Sequence, residues 1–291
     1  MHTTPQSPLH QQTSNNIDNS IREYLLVQQL NAAVRAGAAI MKIYKSVDDY
    51  DIALKSDHTP ITIADRLAHN TIKESLGITR IPILSEEGRE MKYEERQHWE
   101  LFWLVDPLDG TVEFIKGNNE FTVNIALMLN NICISAVVYV PYHHKMYIAE
   151  RGRGAWVMRD VAPAEEANYS YDDIHSAIEQ LPLASAAHTP YRVAVSRSHQ
   201  TPETHEHIAT LRTEHPDLEI IEQGSSYKFC LLAEGAVDYY IRTTTTSEWD
   251  TAAGELILSE AGGTTTTYPD GNTLAYNKES LNNPWFVARR V

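Results

Sequence analysis

Carboxylates gather where the apolar segments of this chain begin or end. In the stretch "WLVDPLDGTVEFIKG", Trp103 to Gly117, an apolar run from Phe102 to Val105 meets Asp106, then Asp109, Gly110 and Thr111. Glu86 and Glu87 close another apolar segment in "SEEG", Asp65 lies in "TPITIADRL", and Asp250 lies in "EWDTAAG". Ends of rigid elements are where side chains are handed to a cleft. Carboxylates packed together repel one another and hold their protons tightly unless cations sit among them. An oxygen-only donor set with no neighbouring Cys or His suits Mg²⁺ better than zinc. Asp and Glu side chains sharing two or more Mg²⁺ ions can drive phosphoryl transfer to water.

The turn after Asp109 has its own use. If Gly110 and Thr111 open a helix or a nest, their free N–H groups can bind a phosphate oxygen. The Thr111 hydroxyl can hold an attacking water. Two rival chemistries explain less. A glycosidase would use a carboxylate pair but leaves the Asp-Gly-Thr turn and the separate acidic positions unexplained. Zinc would use His205 and His207 or the adjacent His143 and His144, yet neither pair has the i,i+4 spacing of one helix face. On its own, an Asp-Gly pair also fits a plain polar turn.

The elements that must position these groups read as two parts. Ser20 and Glu23 form a capping-box pattern ahead of an amphipathic stripe through Leu26, Leu30, Ala33, Gly37, Ile40 and Tyr44. A second helix is expected from near Thr62 to Gly77, and a short strand over Ile81 to Leu84. From Phe102 the pattern turns to strands: "FWLV", "TVNIALML", "CISAVVYV" and "KMYIAE". The charged stretch "REMKYEERQHW" reads as an exposed connector. "YRVAVS", "LEIIEQ" and "VDYYIR" read as later strands, "YKFCLLAEGA" and "EWDTAAGELILSEAGG" as later helices. The expected organisation is a flexible tail over 1–19, an α+β half over 20–165, a connector over 166–189 and a second α/β half over 190–291.

The net charge of −15 over 291 residues excludes a general nucleic-acid binder, though a local basic cluster or bound cations still allow a small anionic substrate. The two cysteines, Cys133 and Cys230, each lie in an apolar run and read as buried reduced thiols. The first residues lack a signal peptide's pattern, and no run is long enough to span a membrane. A cytoplasmic protein is expected, with peripheral attachment to the inner membrane left open.

"SEE", "WLVDPLDGT" and "WDTAAG", in that order, resemble the inositol monophosphatase superfamily of Mg²⁺-dependent, lithium-sensitive phosphatases. The phrases "VEFIKGNNEFTVNIAL", "VSRSH" and "GSSYKFCLLAEG" are similar to its bacterial CysQ-type branch, the 3′(2′),5′-bisphosphate nucleotidases. The resemblance implies an α+β fold, a layered αβαβα sandwich, and hydrolysis of the 3′-phosphate of 3′-phosphoadenosine 5′-phosphate to AMP. It implies two or three Mg²⁺ ions held by Glu86, Asp106, the Leu108 carbonyl, Asp109 and Asp250. Thr111 paired with Asp65 would orient and help deprotonate the water. His199, Ser225, Lys228 and Arg242 would bind the phosphate that the ions do not reach. Other superfamily activities, on inositol or other sugar monophosphates, use the same ions and water. A catalytically silent, nucleotide-sensing protein is the alternative outside enzymes.

Overall fold

The computed structural model describes residues 17–44, 53–54, 60–61, 63–184 and 188–290. Most of the expected tail, residues 1–16, therefore lies outside the described part. The first helix, α1 (Asn19–Tyr44), buries the predicted stripe, including Leu26, Leu30, Ala33, Gly37 and Ile40. Its cap differs from the expected Ser20–Glu23 box. Asp18 Oδ1 accepts from the Ser20 amide at 2.8 Å, because the helix starts two residues earlier than expected and puts Asp18 at the cap position. Two short strands, β1 (Ala53–Leu54) and β2 (Pro60–Ile61), pair antiparallel ahead of α2 (Ile63–Gly77), which packs on α1.

Next come β3 (Ile83–Ser85), α3 (Tyr93–Arg96), β4 (Leu101–Asp109), α4 (Thr111–Lys116), β5 (Thr122–Leu129), β6 (Ile132–Val140), β7 (Lys145–Glu150), β8 (Gly154–Met158), α5 (Tyr171–Ala177) and β9 (Ile178–Gln180). Strands β3 to β9 form one seven-stranded sheet in chain order, with β3 and β4 parallel and the rest antiparallel. Alternation along β4 sends Trp103 and Val105 toward α1 and α2, and Phe102 and Leu104 to the opposite face. Both faces are covered by helices, so the strands read as continuous apolar runs.

Two sequence expectations fail in this half. The section expected to be a connector carries α5 and β9, and β9 pairs with β8 at the sheet edge. At three residues, β9 is too short to leave a periodic signal. The charged stretch expected to be an exposed connector holds α3. Its Arg96 is 1% exposed and donates to Asn277 Oδ1 at 2.7 Å and the Glu279 carbonyl at 2.9 Å.

The rest of the chain runs β10 (Arg192–Ser196), α6 (Pro202–Glu214), β11 (Glu219–Gln223), α7 (Tyr227–Glu234), β12 (Tyr239–Arg242), β13 (Thr246–Ser247), α8 (Glu248–Glu260), β14 (Thr264–Thr267), β15 (Asn282–Asn283) and β16 (Phe286–Arg289). Five of these strands make a second sheet in the order β11-β10-β12-β16-β14, with β10 parallel to both its neighbours. Helices α7 and α8 lie between the sheets. Cys230, Ala252, Leu256 and Ile257 face the seven-stranded sheet, while Phe229, Leu232 and Leu258 face the five-stranded one. Helix α6 covers the outer face through Ile208. The layers run helix, sheet, helix, sheet, helix, which is the αβαβα sandwich. Cys133 and Cys230 are free and buried. No helix among the described residues is long and apolar enough to cross a membrane.

The middle layer is tight. A Cβ on Gly254 of α8 would fall 2.7 Å from Phe229 Cδ2 and 2.8 Å from its Cβ, so α7 and α8 approach closely only because Gly254 has no side chain. Gly254→Ala should therefore cost about 1–3 kcal/mol by overpacking. Gly77→Ala, where a Cβ meets nothing within 4 Å, should change stability by less than about 0.5 kcal/mol. Urea denaturation of both variants measures the difference.

Candidate active site

The pleat of β4 continues past Leu104 and turns Asp106 toward the middle layer, where it is 1% exposed. Pairing of β4 with β5 then shifts register between Asp106 and Asp109. The irregularity is locked by the Leu108 amide donating to Asp106 Oδ1 at 3.1 Å. Gly110 caps α4 at φ +92°, a left-handed conformation in which a Cβ would also come 3.3 Å from the Glu120 carbonyl. Thr111 begins the helix and its hydroxyl donates to the Leu108 carbonyl at 3.3 Å.

Glu86 arrives from the parallel neighbour. It follows β3 directly, and its amide donates to the Val105 carbonyl at 3.1 Å. Asp250 comes from the other half of the chain, in the first turn of α8, where its Oδ2 accepts from the Ser247 amide at 2.8 Å. Ligand atoms of Glu86, Asp106 and Asp250 all lie within 4.8 Å of one another. Burial and the charges of Glu86, Asp109, Asp250 and Asp65 push the Asp106 carboxyl well above its usual range. Burial, then Asp109 and Glu86, raise Asp250 from 3.8 to about 8.

Asp109 is pinned from across the molecule. Its Oδ2 accepts from the Ser226 amide at 2.5 Å, from the Ser226 hydroxyl, and from Asn124 Nδ2 at 3.3 Å. Asn124 also donates to Ser226 Oγ at 2.7 Å, and that oxygen lies 2.8 Å from the Asp250 carbonyl. Ser226 thus ties the β4 turn to the start of α8. Neither Ser226 nor Asn124 had been singled out from the sequence, because a serine or asparagine inside an ordinary element carries no signal until its partner is known.

A cavity of about 180 Å³ opens over this cluster, lined by Glu86, Asp106, Leu108, Asp109, Gly110, Thr111, His199, Ser225, Lys228, Arg242 and Asp250. All the expected site residues line it except Asp65. That residue is 3% exposed in the first turn of α2, where its charge bears on Asp106. The same cavity is also lined by cations. Lys228 is 2% exposed and donates to the carbonyls of Gln223 at 3.0 Å and Ser225 at 2.6 Å. Burial, then the Arg242 charge, lowers its pKa to about 7. Arg242 Nε is buried with no hydrogen-bond partner. His199 sits at the exposed rim, its pKa lowered by partial burial and by Arg242. A further lining residue unforeseen from the sequence is Glu113, on α4.

The donor set tests well for Mg²⁺. It is all oxygen and crowded with like charge, and neither Cys nor His belongs to the cluster among the described residues. His205 and His207 are engaged elsewhere: His207 Nε2 meets Tyr239 Oη at 2.7 Å and His205 Nε2 meets Gln200 Oε1 at 3.2 Å.

Fold and site together define a layered α+β protein with an all-oxygen carboxylate cluster that could hold a divalent cation between its two sheets. The family model for the inositol monophosphatase family matches residues 21–288. The chain is 42% identical over 265 residues to 3′(2′),5′-bisphosphate nucleotidase CysQ of Salmonella typhimurium, covering 90% of this chain and 98% of that one. It is 32% identical over 273 residues to the protein of the same name from Haemophilus influenzae, covering 92% and 93%. The crystal structure of CysQ from Bacteroides thetaiotaomicron superposes with a TM-score of 0.84 at 42% identity, over 94% of this chain and 99% of that one. The chain belongs to the inositol monophosphatase family, whose members are generally Mg²⁺-dependent.

The raised carboxyl pKa values carry a sign. Between 3.8 and about 8, folded Asp250 keeps a proton that the unfolded chain has lost, so its contribution to stability falls as pH rises. In chelator, Asp250→Asn should therefore be more stable than the unmodified chain at neutral pH. The gap should narrow toward pH 5, at most by about 1.4 kcal/mol per pH unit. Thermal unfolding at pH 5 and pH 7 checks this, and a gap independent of pH would contradict it.

Proposed function

We propose that this chain hydrolyses the 3′-phosphate of 3′-phosphoadenosine 5′-phosphate, giving AMP and inorganic phosphate. One observation carries the reading: a single cavity is lined both by Glu86, Asp106, Asp109 and Asp250 and by Lys228 and Arg242. A nucleotide with two phosphates separated by a sugar calls for both sets. A sugar monophosphate would leave the cations without an anion, and buried charge without a partner is costly. The relatives named 3′(2′),5′-bisphosphate nucleotidase CysQ support the same choice.

Glu86, Asp106, Asp109 and Asp250, with the Leu108 carbonyl, would hold two or three Mg²⁺ ions. When bound, Mg²⁺ lowers the pKa of water and neutralises charge on the phosphoryl and leaving oxygens. Thr111 would orient the attacking water through its hydroxyl, and Asp65 would take up the proton. Amides of Gly110 and Thr111 would donate to the phosphoryl oxygens. Because Ser226 and Asn124 hold Asp109 in place before substrate arrives, little reorganisation remains at the moment of reaction.

The 5′-phosphate would lie against Ser225, His199, Lys228 and Arg242. Arg242 brings its guanidinium to the same cavity, and Lys228 keeps one of its three donors after serving the Gln223 and Ser225 carbonyls. A phosphate arriving beside Lys228 would favour its charged form and raise its pKa. Lys228 would therefore act twice, shaping the loop that carries Ser225 and then meeting the anion.

Phosphate release from 3′-phosphoadenosine 5′-phosphate, inositol 1-phosphate and fructose 1,6-bisphosphate, with Mg²⁺ and with chelator, tests the reading. The bisphosphate nucleotide should be hydrolysed best, and chelator should stop the reaction. Comparable rates on inositol 1-phosphate would favour a general sugar phosphatase. Asp109→Asn should lower turnover on the order of 100-fold or more with circular dichroism unchanged. Arg242→Ala should raise KM for the nucleotide by about 10- to 100-fold, since charge-assisted hydrogen bonds are worth about 1.5–3 kcal/mol. The same substitution should affect inositol 1-phosphate far less, and equal losses on both would remove Arg242 from the phosphate site.

A further inference from the structure

Of the four carboxylates that face the cavity, Glu86 has the shortest element behind it. It follows β3, a strand of three residues at the edge of the seven-stranded sheet, with a backbone partner on one side only. Past the Ser85–Val105 pair and the Glu86 amide on the Val105 carbonyl, the chain leaves the sheet in a tight turn. The Gly88 amide closes that turn on the Ser85 carbonyl at 3.0 Å.

A side chain from outside the sheet braces this turn. His69 Nδ1, on α2, shares a hydrogen bond of 2.9 Å with Ser85 Oγ. Ser85 is buried and His69 half-buried. A Cβ on Gly88 would come 3.0 Å from the Ser85 carbonyl and 3.8 Å from His69 Cε1, so the imidazole lies against the turn itself. Burial, then the Lys73 charge, lower the His69 pKa against the pull of Glu87. Near pH 7 the ring is therefore uncharged and bonds Ser85 as a neutral group.

The same helix carries Asp65. Positions 65 and 69 are about one turn apart and share a face of α2. Asp65 is buried there and its charge bears on Asp106. Ala68 and Ile72 of the same helix are buried in one cluster with Trp103 and Val105 of β4. His69 thus joins the helix that bears Asp65 to the turn that bears Glu86, a connection that strand pairing does not provide.

We propose that His69 is a positioning residue for the cation that the carboxylates hold: through Ser85 it fixes the turn that presents Glu86, and it registers that turn against the helix bearing Asp65. The inference rests on Glu86 as a cation ligand and is independent of which phosphate ester is hydrolysed. Without the bond, Ser85 is free to change rotamer and the turn samples more conformations, so cation binding must also order it. Groups that orient metal ligands directly are worth about 10- to 100-fold in affinity. His69 acts one residue away, and the single neutral hydrogen bond it makes corresponds to about 3- to 10-fold.

The test follows the thermal midpoint of the full chain as Mg²⁺ is added after chelator treatment, which reads the cation without turnover. His69→Ala should raise the Mg²⁺ concentration for half-maximal stabilisation by about 3- to 10-fold. Ser85→Ala should do the same, and the double variant should do no more than either, since all three remove one bond. His69→Asn, which keeps a polar atom where Nδ1 stands, should restore much of the loss. At saturating Mg²⁺, KM for the nucleotide should stay near that of the unmodified chain. A lower midpoint in chelator with an unmoved Mg²⁺ requirement is the result of a merely structural role and overturns the proposal, as do additive effects in the double variant. If His69→Ala does not fold, Ser85→Ala, which loses one hydroxyl, decides alone. No Mg²⁺-dependent shift in the unmodified chain would instead remove the cation from the carboxylates, and this proposal with it.

Discussion

Mutual repulsion among carboxylates is the constraint on which the molecule's architecture turns. Asp106 is buried beside Glu86, Asp109, Asp250 and Asp65, and each of these charges makes its ionisation harder. Such a cluster does not assemble through its own attractions, so the backbone must impose it. The irregularity in β4, fixed by the Leu108 amide on Asp106, presents two carboxylates from one strand end. Parallel pairing with β3 sets Glu86 beside them, and the start of α8 adds Asp250. The energy that holds these groups in place comes from apolar layers elsewhere, through Leu256, Ile257 and Leu258 on α8 and the strands they cover.

That arrangement also explains why the middle helices matter more to the site than the outer ones. Helices α7 and α8 touch both sheets, so each can bring residues from the second half of the chain to the strand ends of the first. Ser226, just before α7, accepts from Asn124 of β5 and meets both Asp109 and the Asp250 carbonyl. This one hydroxyl couples three elements. Lys228, two residues later, turns its ammonium back under the Gln223 and Ser225 carbonyls. One short segment therefore carries both a partner of the carboxylates and a cation of the cavity lining.

Much of the fold was legible because most of its signals are local. The apolar runs of β4 to β7 and the stripe of α1 lie close to where periodicity places them. The misses have separate causes. Ser20 followed by Glu23 is a strong local cap pattern, whereas Asp18 caps the helix in the structure. The edge strand β9 has only three residues, and its identity comes from pairing with β8. Arg96 looked like one more surface charge and is buried against Asn277, a residue 181 positions away.

For the site, the order and types of residues in "SEE", "DPLDGT" and "WDTAAG" determined a carboxylate-rich, hard-cation chemistry. This followed because metal preference depends on donor atoms, which residue types specify outright. Tertiary structure alone decided which carboxylates meet, which one does not line the cavity, and what surrounds them. Asp65 and Asp250 are both acids in the first turn of a helix, yet only Asp250 lines the cavity. Ser226, Asn124 and Glu113 had no signal in the sequence, because a hydrogen bond or its absence is a property of two positions in space. The bond between Ser226 and Asp109 spans 117 positions. Distances of that kind are fixed by how layers pack, and no local pattern of residues encodes them.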